Sequence, residues 1–218
     1  MECLNILLND YVSRDAIIRT CSYASLLLSE YSSKDTSRKL KIISTELSYC
    51  RLLNRLFDDV SMLKYTLQYG LGSKENGKLL RLISVLLNIV DQLYFPVEHF
   101  AWAADKKIIA ADSSILYNLS SGLWALSCYL NILRSLLTLS RLESCKNYSD
   151  NELLSQVSRQ QLGELLVAFR SSADFVIAIS YLPPGTLMWA GKLSTKKIAW
   201  CGLLSSILRL VLFFRNMP

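Results

Sequence analysis

With 218 residues the chain can bury a full core in one domain, or in two small ones. Hydrophobic residues make up 51%, charged residues only 19%, and the mean hydropathy is +0.27; 8 Gly and 4 Pro leave few breaks, which favours long helices over many short strands. The net charge of +6 is uneven, with 14 Lys/Arg against 13 Asp/Glu up to Asp112 and 10 against 5 beyond it. The more basic second half suits segments flanking an anionic bilayer, and the scattered basic residues lack the aromatic-basic groove of a nucleic-acid binder.

Leucine dominates the apolar set and is a good helix former. The expected fold is therefore all-α, a helical membrane protein. Its N-terminal amphipathic helices pack with about two hydrophobic, transmembrane helices further on. Met1 to Leu8 has an acidic residue and no basic start, so no signal peptide is expected. Six cysteines spaced far apart read as reduced thiols facing the cytosol.

The first helix is predicted over Tyr11–Glu30, with Ile17, Ile18, Cys21, Ala24, Leu27 and Leu28 on one face and Arg14, Asp15, Arg19 and Ser22 opposite. Tyr31 to Arg38 reads as a polar loop. A second helix is expected from near Leu40 to Tyr69, and its part from Arg51 to Gly72 is the most strongly patterned stretch of the chain. On a wheel at about 100° per residue, Leu52, Leu53, Leu56, Val60, Leu63 and Leu67 fall within an arc of roughly 100°, with Phe57 at its edge. Arg51, Asn54, Arg55, Asp58, Ser61, Tyr65 and Gln68 lie opposite. Such a stripe suits a protein core or the headgroup boundary of a membrane, and periodicity does not distinguish them. Gly70 and Gly72 follow as helix stops, and Ser73 to Gly77 as a turn.

Lys78 to Phe95 is predicted as a third helix that Pro96 ends or kinks. Glu98 to Ala111 mixes Phe100 and Trp102 with Lys106 and Lys107, as a short interfacial helix would; an ordinary surface helix with inward aromatics fits equally. Asp112 or Ser113 can cap a fourth helix. From Ile115 to Leu133 there are 19 residues without a charge, reaching ~28 Å against a hydrocarbon thickness of ~30 Å. This is the first candidate span. Ser149 and Glu152 match a capping box for a helix over 150–181, ended by Leu182-Pro183-Pro184-Gly185. Ile198 to Phe214 is the second candidate span, with Arg209 near enough to its end to snorkel to the interface. The chain thus divides into an amphipathic, surface-lying region over 1–112 and a membrane region over 113–218.

Catalytic chemistry is not expected. His99 is the only histidine, and no Cys, His or carboxylate cluster has metal-ligand spacing, so no metal or cofactor is expected. Asp58 and Asp59 diverge by about 100° on a helix and do not converge on one substrate, so a solvated polar edge is expected. No nucleophile elbow, phosphate loop or dinucleotide fingerprint occurs.

Three blocks carry a resemblance: Leu56-Phe57-Asp58-Asp59-Val60-Ser61-Met62-Leu63-Lys64-Tyr65 running on to Gly70-Leu71-Gly72; Tyr94-Phe95-Pro96-Val97-Glu98-His99-Phe100-Ala101-Trp102-Ala103-Ala104-Asp105-Lys106-Lys107; and Ala173-Asp174-Phe175 through Leu182-Pro183-Pro184-Gly185 to Trp189-Ala190-Gly191. Together they resemble the peroxisomal membrane protein 11 family, particularly its gamma type. The resemblance implies a non-enzymatic, multi-pass peroxisomal membrane protein that curves the bilayer through its N-terminal amphipathic helices. It also implies roles in peroxisome elongation and fission, self-association, pairing with other family members, and recruitment of a dynamin-related GTPase and its membrane adaptors. On that reading Leu52, Leu53, Leu56, Phe57, Val60, Leu63 and Leu67 insert at the interface, and Arg51, Arg55 and Lys64 meet headgroups. A metabolite pore, with Asn118, Ser121 and Asn131 from several copies as its lining, is the alternative; a peripheral helical scaffold is another.

Overall fold

The computed structural model describes residues 9–73, 75, 77–146 and 151–215. Cys3, Lys74, Asn76, Ser149 with its half of the expected capping box, and the end from Asn216 lie outside the described residues. Among the described residues the chain forms seven helices and no strand, the all-α fold its composition implies. They are α1 (Tyr11–Ser29), α2 (Lys34–Arg55), α3 (Asp58–Tyr69), α4 (Lys78–Asp105), α5 (Ser113–Lys146), α6 (Asn151–Ser180) and α7 (Thr195–Arg215).

Three boundaries differ from expectation. Helix α2 begins at Lys34, inside the stretch 31–38 read as a loop, with Asp35 in its first turn where a carboxylate favours the helix dipole. The stretch from Leu40 to Tyr69 is two helices. Leu56 and Phe57 donate to the carbonyls of Leu53 and Asn54, tightening the last turn of α2, and the path restarts at Asp58. The charges suit a restart there: Arg55 closes α2, while Asp58 and Asp59 occupy the first turn of α3, each favourable to a helix dipole. Conversely, α4 runs straight through Pro96 to Asp105. Pro96 cannot donate to Gln92, but Tyr94, Glu98, His99 and Trp102 on either side are all hydrogen-bonded to α2 or to the α2–α3 junction. Those contacts hold the helix together, and Glu98 to Asp105 becomes its last turns. Asp112 caps α5, its carboxylate accepting from the Ser114 N–H at 2.8 Å.

Helices α4 to α7 pack as an antiparallel succession, each against the next. Ser127 of α5 bonds Asp91 of α4, Ser135 of α5 bonds Glu164 of α6, and Ser205 of α7 bonds Asp174 of α6. The array continues through α1, which lies antiparallel between α7 and α2, and α3 packs on α4. Side chains close the ring: Arg55 of α2 donates to Glu98 of α4 at 2.8 Å, and Trp102 of α4 to the Tyr49 hydroxyl at 3.3 Å. Gly202 is what lets α1 approach α7, since a Cβ there would fall 2.4 Å from the Tyr23 ring. The segment after α6 folds back under Trp189, whose indole N–H donates to the Val176 carbonyl. Gly191, at φ +65°, sits where a Cβ would meet Pro184 at 2.6 Å.

Two apolar clusters mark the tightest packing: Ile83, Leu87, Val90 and Leu130 between α4 and α5, and Ala125, Ala178, Ile179 and Ala190 around the end of α6. Elsewhere the interior mixes apolar residues such as Ala16, Ala101, Ile177 and Ala199 with many polar ones. Ser13, Asp15, Arg19 and Ser22 are the buried side of α1, while Cys21 and Leu28 from its expected apolar face are exposed. Outside, α4 exposes Leu79, Leu82, Leu86, Ile89 and Leu93, and α7 exposes Trp200, Leu204, Ile207, Val211 and Phe214. Ionisable residues turned inward with long apolar faces turned outward depart from a water-soluble bundle and suit lipid surroundings. Three helices, α4, α5 and α7, are long and apolar enough to cross a membrane, one more than the sequence reading proposed. The added one, α4, lies within the region over 1–112. Helix α2 departs from this on the outer surface, exposing Lys34, Asp35, Arg38, Lys39 and Lys41, as does the first part of α6 with Gln156, Ser158, Arg159 and Gln160.

Candidate functional site

Every helix sends side chains into one central cavity of about 700 Å³. Its polarity comes from residues that each helix would normally keep outside. On one wall Arg19 of α1 pairs with Asp174 of α6, which also accepts from Ser205. Beside them Asp15 of α1 is held by Arg51 of α2, with N–O distances of 2.8 and 3.1 Å, and by Arg209 of α7 at 3.2 Å. Burial pushes the Asp15 carboxyl up, but the Arg51 hydrogen bond and the guanidinium charges outweigh it and hold the group below the usual carboxylate range. Arg209 therefore does not snorkel to the interface. It turns inward, because a carboxylate is available inside the ring and none lies outside along α7.

On the facing wall the Tyr94 hydroxyl and Arg55 both donate to Glu98 Oε1, at 2.7 and 2.8 Å. Asp91 takes the Ser127 hydroxyl. Asn118, Ser121 and Asn131 line the same cavity from α5. A single chain thus brings together the polar set that sequence reasoning could only gather from several copies. His99 is structural: Nδ1 lies 2.7 Å from Asp59 and Nε2 3.1 Å from the Arg55 carbonyl oxygen, pinning the α2–α3 break to α4. Asp58 and Asp59 diverge as expected, but they are half-buried partners of Tyr11 and His99 rather than a solvated edge. Among the described residues no group of three or more His, Cys, Asp or Glu could hold a metal ion.

The second feature is α3. Its inward face is polar: the Thr66 hydroxyl lies 3.1 and 3.0 Å from the side-chain oxygens of Asn88 and Gln92. Its apolar stripe points out, with Val60 77% and Leu67 74% exposed, Leu63 exposed, and Phe57 at the preceding break 81% exposed. Lys64 is exposed beside them, whereas Leu52, Leu53 and Leu56 on α2 are half-buried. Arg51 and Arg55 are engaged by Asp15 and Glu98. The patterned stretch is thus split between an inner half on α2 and an outer half on α3. The cavity was missed because its members are spaced across all seven helices; the one local signal was ionisable residues at helical positions within otherwise apolar segments, Asp91 and Arg209 among them.

A sequence model described as Peroxisomal biogenesis factor 11 (PEX11) matches residues 1–212. The chain belongs to that family. Among its relatives, human "Peroxisomal membrane protein 11C" is 38% identical over 215 residues, covering 92% of this chain and 89% of the relative. The mouse protein of the same name is 36% identical over 209 residues, covering 89% and 86%. No solved structure matches the chain. Family membership thus agrees with the motif resemblance, and it makes this a peroxisomal biogenesis factor with an all-helical fold and apolar outer helices.

Proposed function

We propose that this PEX11 family member, of the gamma type, is a multi-pass protein of the peroxisomal membrane that bends the bilayer by inserting α3. It would thereby promote elongation and fission of the organelle through self-association, pairing with other family members, and recruitment of a dynamin-related GTPase and its adaptors. Residues 1–112 would lie on the cytosolic side except where α4 enters the bilayer. The observation that supports insertion is the outward stripe of Phe57, Val60, Leu63 and Leu67 on a helix whose polar face is occupied by α4. Full burial of an aliphatic or aromatic side chain of this size is worth about 1.5–3 kcal/mol. Asp58 and Asp59 face Tyr11 and His99, which leaves Lys64 as the charged group beside the stripe. At an anionic surface a lysine contributes roughly 1 kcal/mol. Leu52, Leu53, Leu56, Arg51 and Arg55 would reach the interface only if α2 rotated away from α1. Full-length protein reconstituted into anionic vesicles should draw them into tubules visible by electron microscopy. Leu63→Asp with Leu67→Asp should leave them round while the protein still floats with the lipid. Equal tubulation by the variant would sink the proposal.

The polar cavity within an apolar exterior favours a second reading, passage of small polar solutes. Solute flux in reconstituted liposomes, compared between native chain and a variant filling the cavity at Ser121→Trp, separates it from bending alone.

A further inference from the structure

Around the ring, neighbouring helices pack backbone against backbone except at one seam. Between α2 and α4 the closure is made by long side chains: Arg55 reaches Glu98 at 2.8 Å, and the Trp102 indole N–H reaches the Tyr49 hydroxyl at 3.3 Å. Both lips of this seam line the central cavity, through Ser48, Arg51 and Arg55 on α2 and Tyr94, Phe95 and Glu98 on α4. Outside it, a shallow groove follows α2, lined by Lys34, Arg38, Lys41, Thr45 and Glu46. The groove leads to Ser48, which is exposed and at the same time part of the cavity lining. A polar track therefore runs from the surface into a bundle whose α4, α5 and α7 are long and apolar enough to cross a membrane. Along α5 the cavity lining extends from Tyr117 to Asn131, ~21 Å at about 1.5 Å per residue, against a hydrocarbon thickness of ~30 Å.

We propose that this seam and cavity carry phospholipid headgroups from one leaflet to the other, the acyl chains remaining in lipid outside the seam. A headgroup crosses hydrocarbon slowly because its phosphate and amine must leave water unpaired. Here Arg19, Arg51 and Arg55 offer donors to the phosphate, and Asp15, Glu98 and Asp174 offer acceptors to the amine. These charges are already paired with one another. They solvate a passing headgroup without holding it, and passage needs binding weak enough to release. The seam suits a molecule that is polar at one end only. A lipid must keep its chains outside while its headgroup travels within, and side-chain bridges part by rotation while the other helix pairs stay packed. The passage uses the cavity and its seam alone, so it stands apart from insertion of α3 and from passage of soluble solutes.

The test uses the full-length chain in phosphatidylcholine liposomes that carry fluorescent phosphatidylcholine in both leaflets and a labelled sugar trapped inside. Albumin, too large to enter the cavity, extracts the fluorescent lipid from the outer leaflet alone. Protein-free liposomes should release only the outer half of that lipid, and liposomes with the native chain nearly all of it. Ser48→Trp fills the point where groove and cavity meet and should return extraction to the protein-free level. A second closure guards against misfolding of that variant. In a chain with its six cysteines replaced by serine, Tyr49→Cys with Trp102→Cys is bridged by a reducible bis-methanethiosulfonate. Transfer should stop on bridging and resume on reduction in the same vesicles. Lipid transfer with the sugar retained supports headgroup passage and removes the solute reading; sugar release without lipid transfer does the reverse and overturns the proposal. Extraction that never exceeds the protein-free level overturns it as well, as does transfer that both closures leave unchanged.

Discussion

The Arg19–Asp174 pair is a buried contact that ties α1 to α6, and its deletion has a calculable cost. The two side chains are 4% and 8% exposed, with Ser205 as the remaining donor to the carboxylate. Asp174→Ala leaves the Arg19 guanidinium buried without a counter-charge, which costs about 3–5 kcal/mol. For a chain of this size 1 kcal/mol moves the melting temperature by roughly 2–4 °C, so the expected fall is roughly 6–20 °C. Arg19→Met alone should cost as much, because Asp174 would then be the uncompensated charge. Arg19→Met with Asp174→Leu removes both charges and should recover more than half of either loss, as buried pairs replaced by apolar residues of similar volume do. The assay is thermal unfolding of the purified chain in nanodiscs, followed by tryptophan fluorescence. If Asp174→Ala melts within about 2 °C of the native chain, or if the double variant loses the sum of the two single losses, α1 is not held by this pair.

Gly202→Ala should wedge α1 away from α7, since the new methyl would lie 2.4 Å from the Tyr23 ring; a loss of about 1–3 kcal/mol is expected, relieved when Tyr23→Ala is added. Asp15 gives a pH signature. Its folded-state carboxyl is held below the unfolded value of about 3.9, so its contribution is complete above that pH and lost as the pH falls through the folded-state value; the stability difference between native chain and Asp15→Asn should shrink on acidification below about pH 4 and be flat above about pH 5. In variants that keep one thiol at a time, a maleimide should label Cys21 and Cys50, which are exposed, within minutes and Cys128, which is buried, only on unfolding. Thr66→Val should loosen α3 from α4 by about 1 kcal/mol, read as faster amide exchange confined to residues 58–69.

Helix positions were largely legible because long leucine-rich stretches interrupted by few Gly or Pro have little else to do, and caps such as Asp112 act locally. Orientation was less so. Periodicity separates the two faces of α1, but which face turns inward depends on the surrounding solvent and on partners far away in the chain. The face with Asp15 and Arg19 goes in because Arg51, Asp174 and Arg209 meet it there, at separations in sequence of 36, 155 and 194 residues. No local window holds that information. Pro96 misled for a related reason: its backbone penalty is local, and the contacts of Tyr94, Glu98, His99 and Trp102 that override it are not.

The stretch from Arg51 to Gly72 combines both lessons. Read as one helix, its stripe has a polar face carrying nearly balanced charge, which weakens any attraction to an anionic surface. The break at Leu56 and Phe57 changes the arithmetic. It turns Arg51 and Arg55 toward Asp15 and Glu98, and it turns Asp58 and Asp59 toward Tyr11 and His99. Both signs are consumed inside. Val60, Leu63 and Leu67 are left outward with Lys64, on a short helix moored by its polar side to the membrane-length helix α4. A stripe so moored cannot enter lipid independently of α4. Its depth would be fixed by that helix, and any bending it produced would be transmitted through the Thr66 and His99 contacts rather than by a free amphipathic segment settling on the surface.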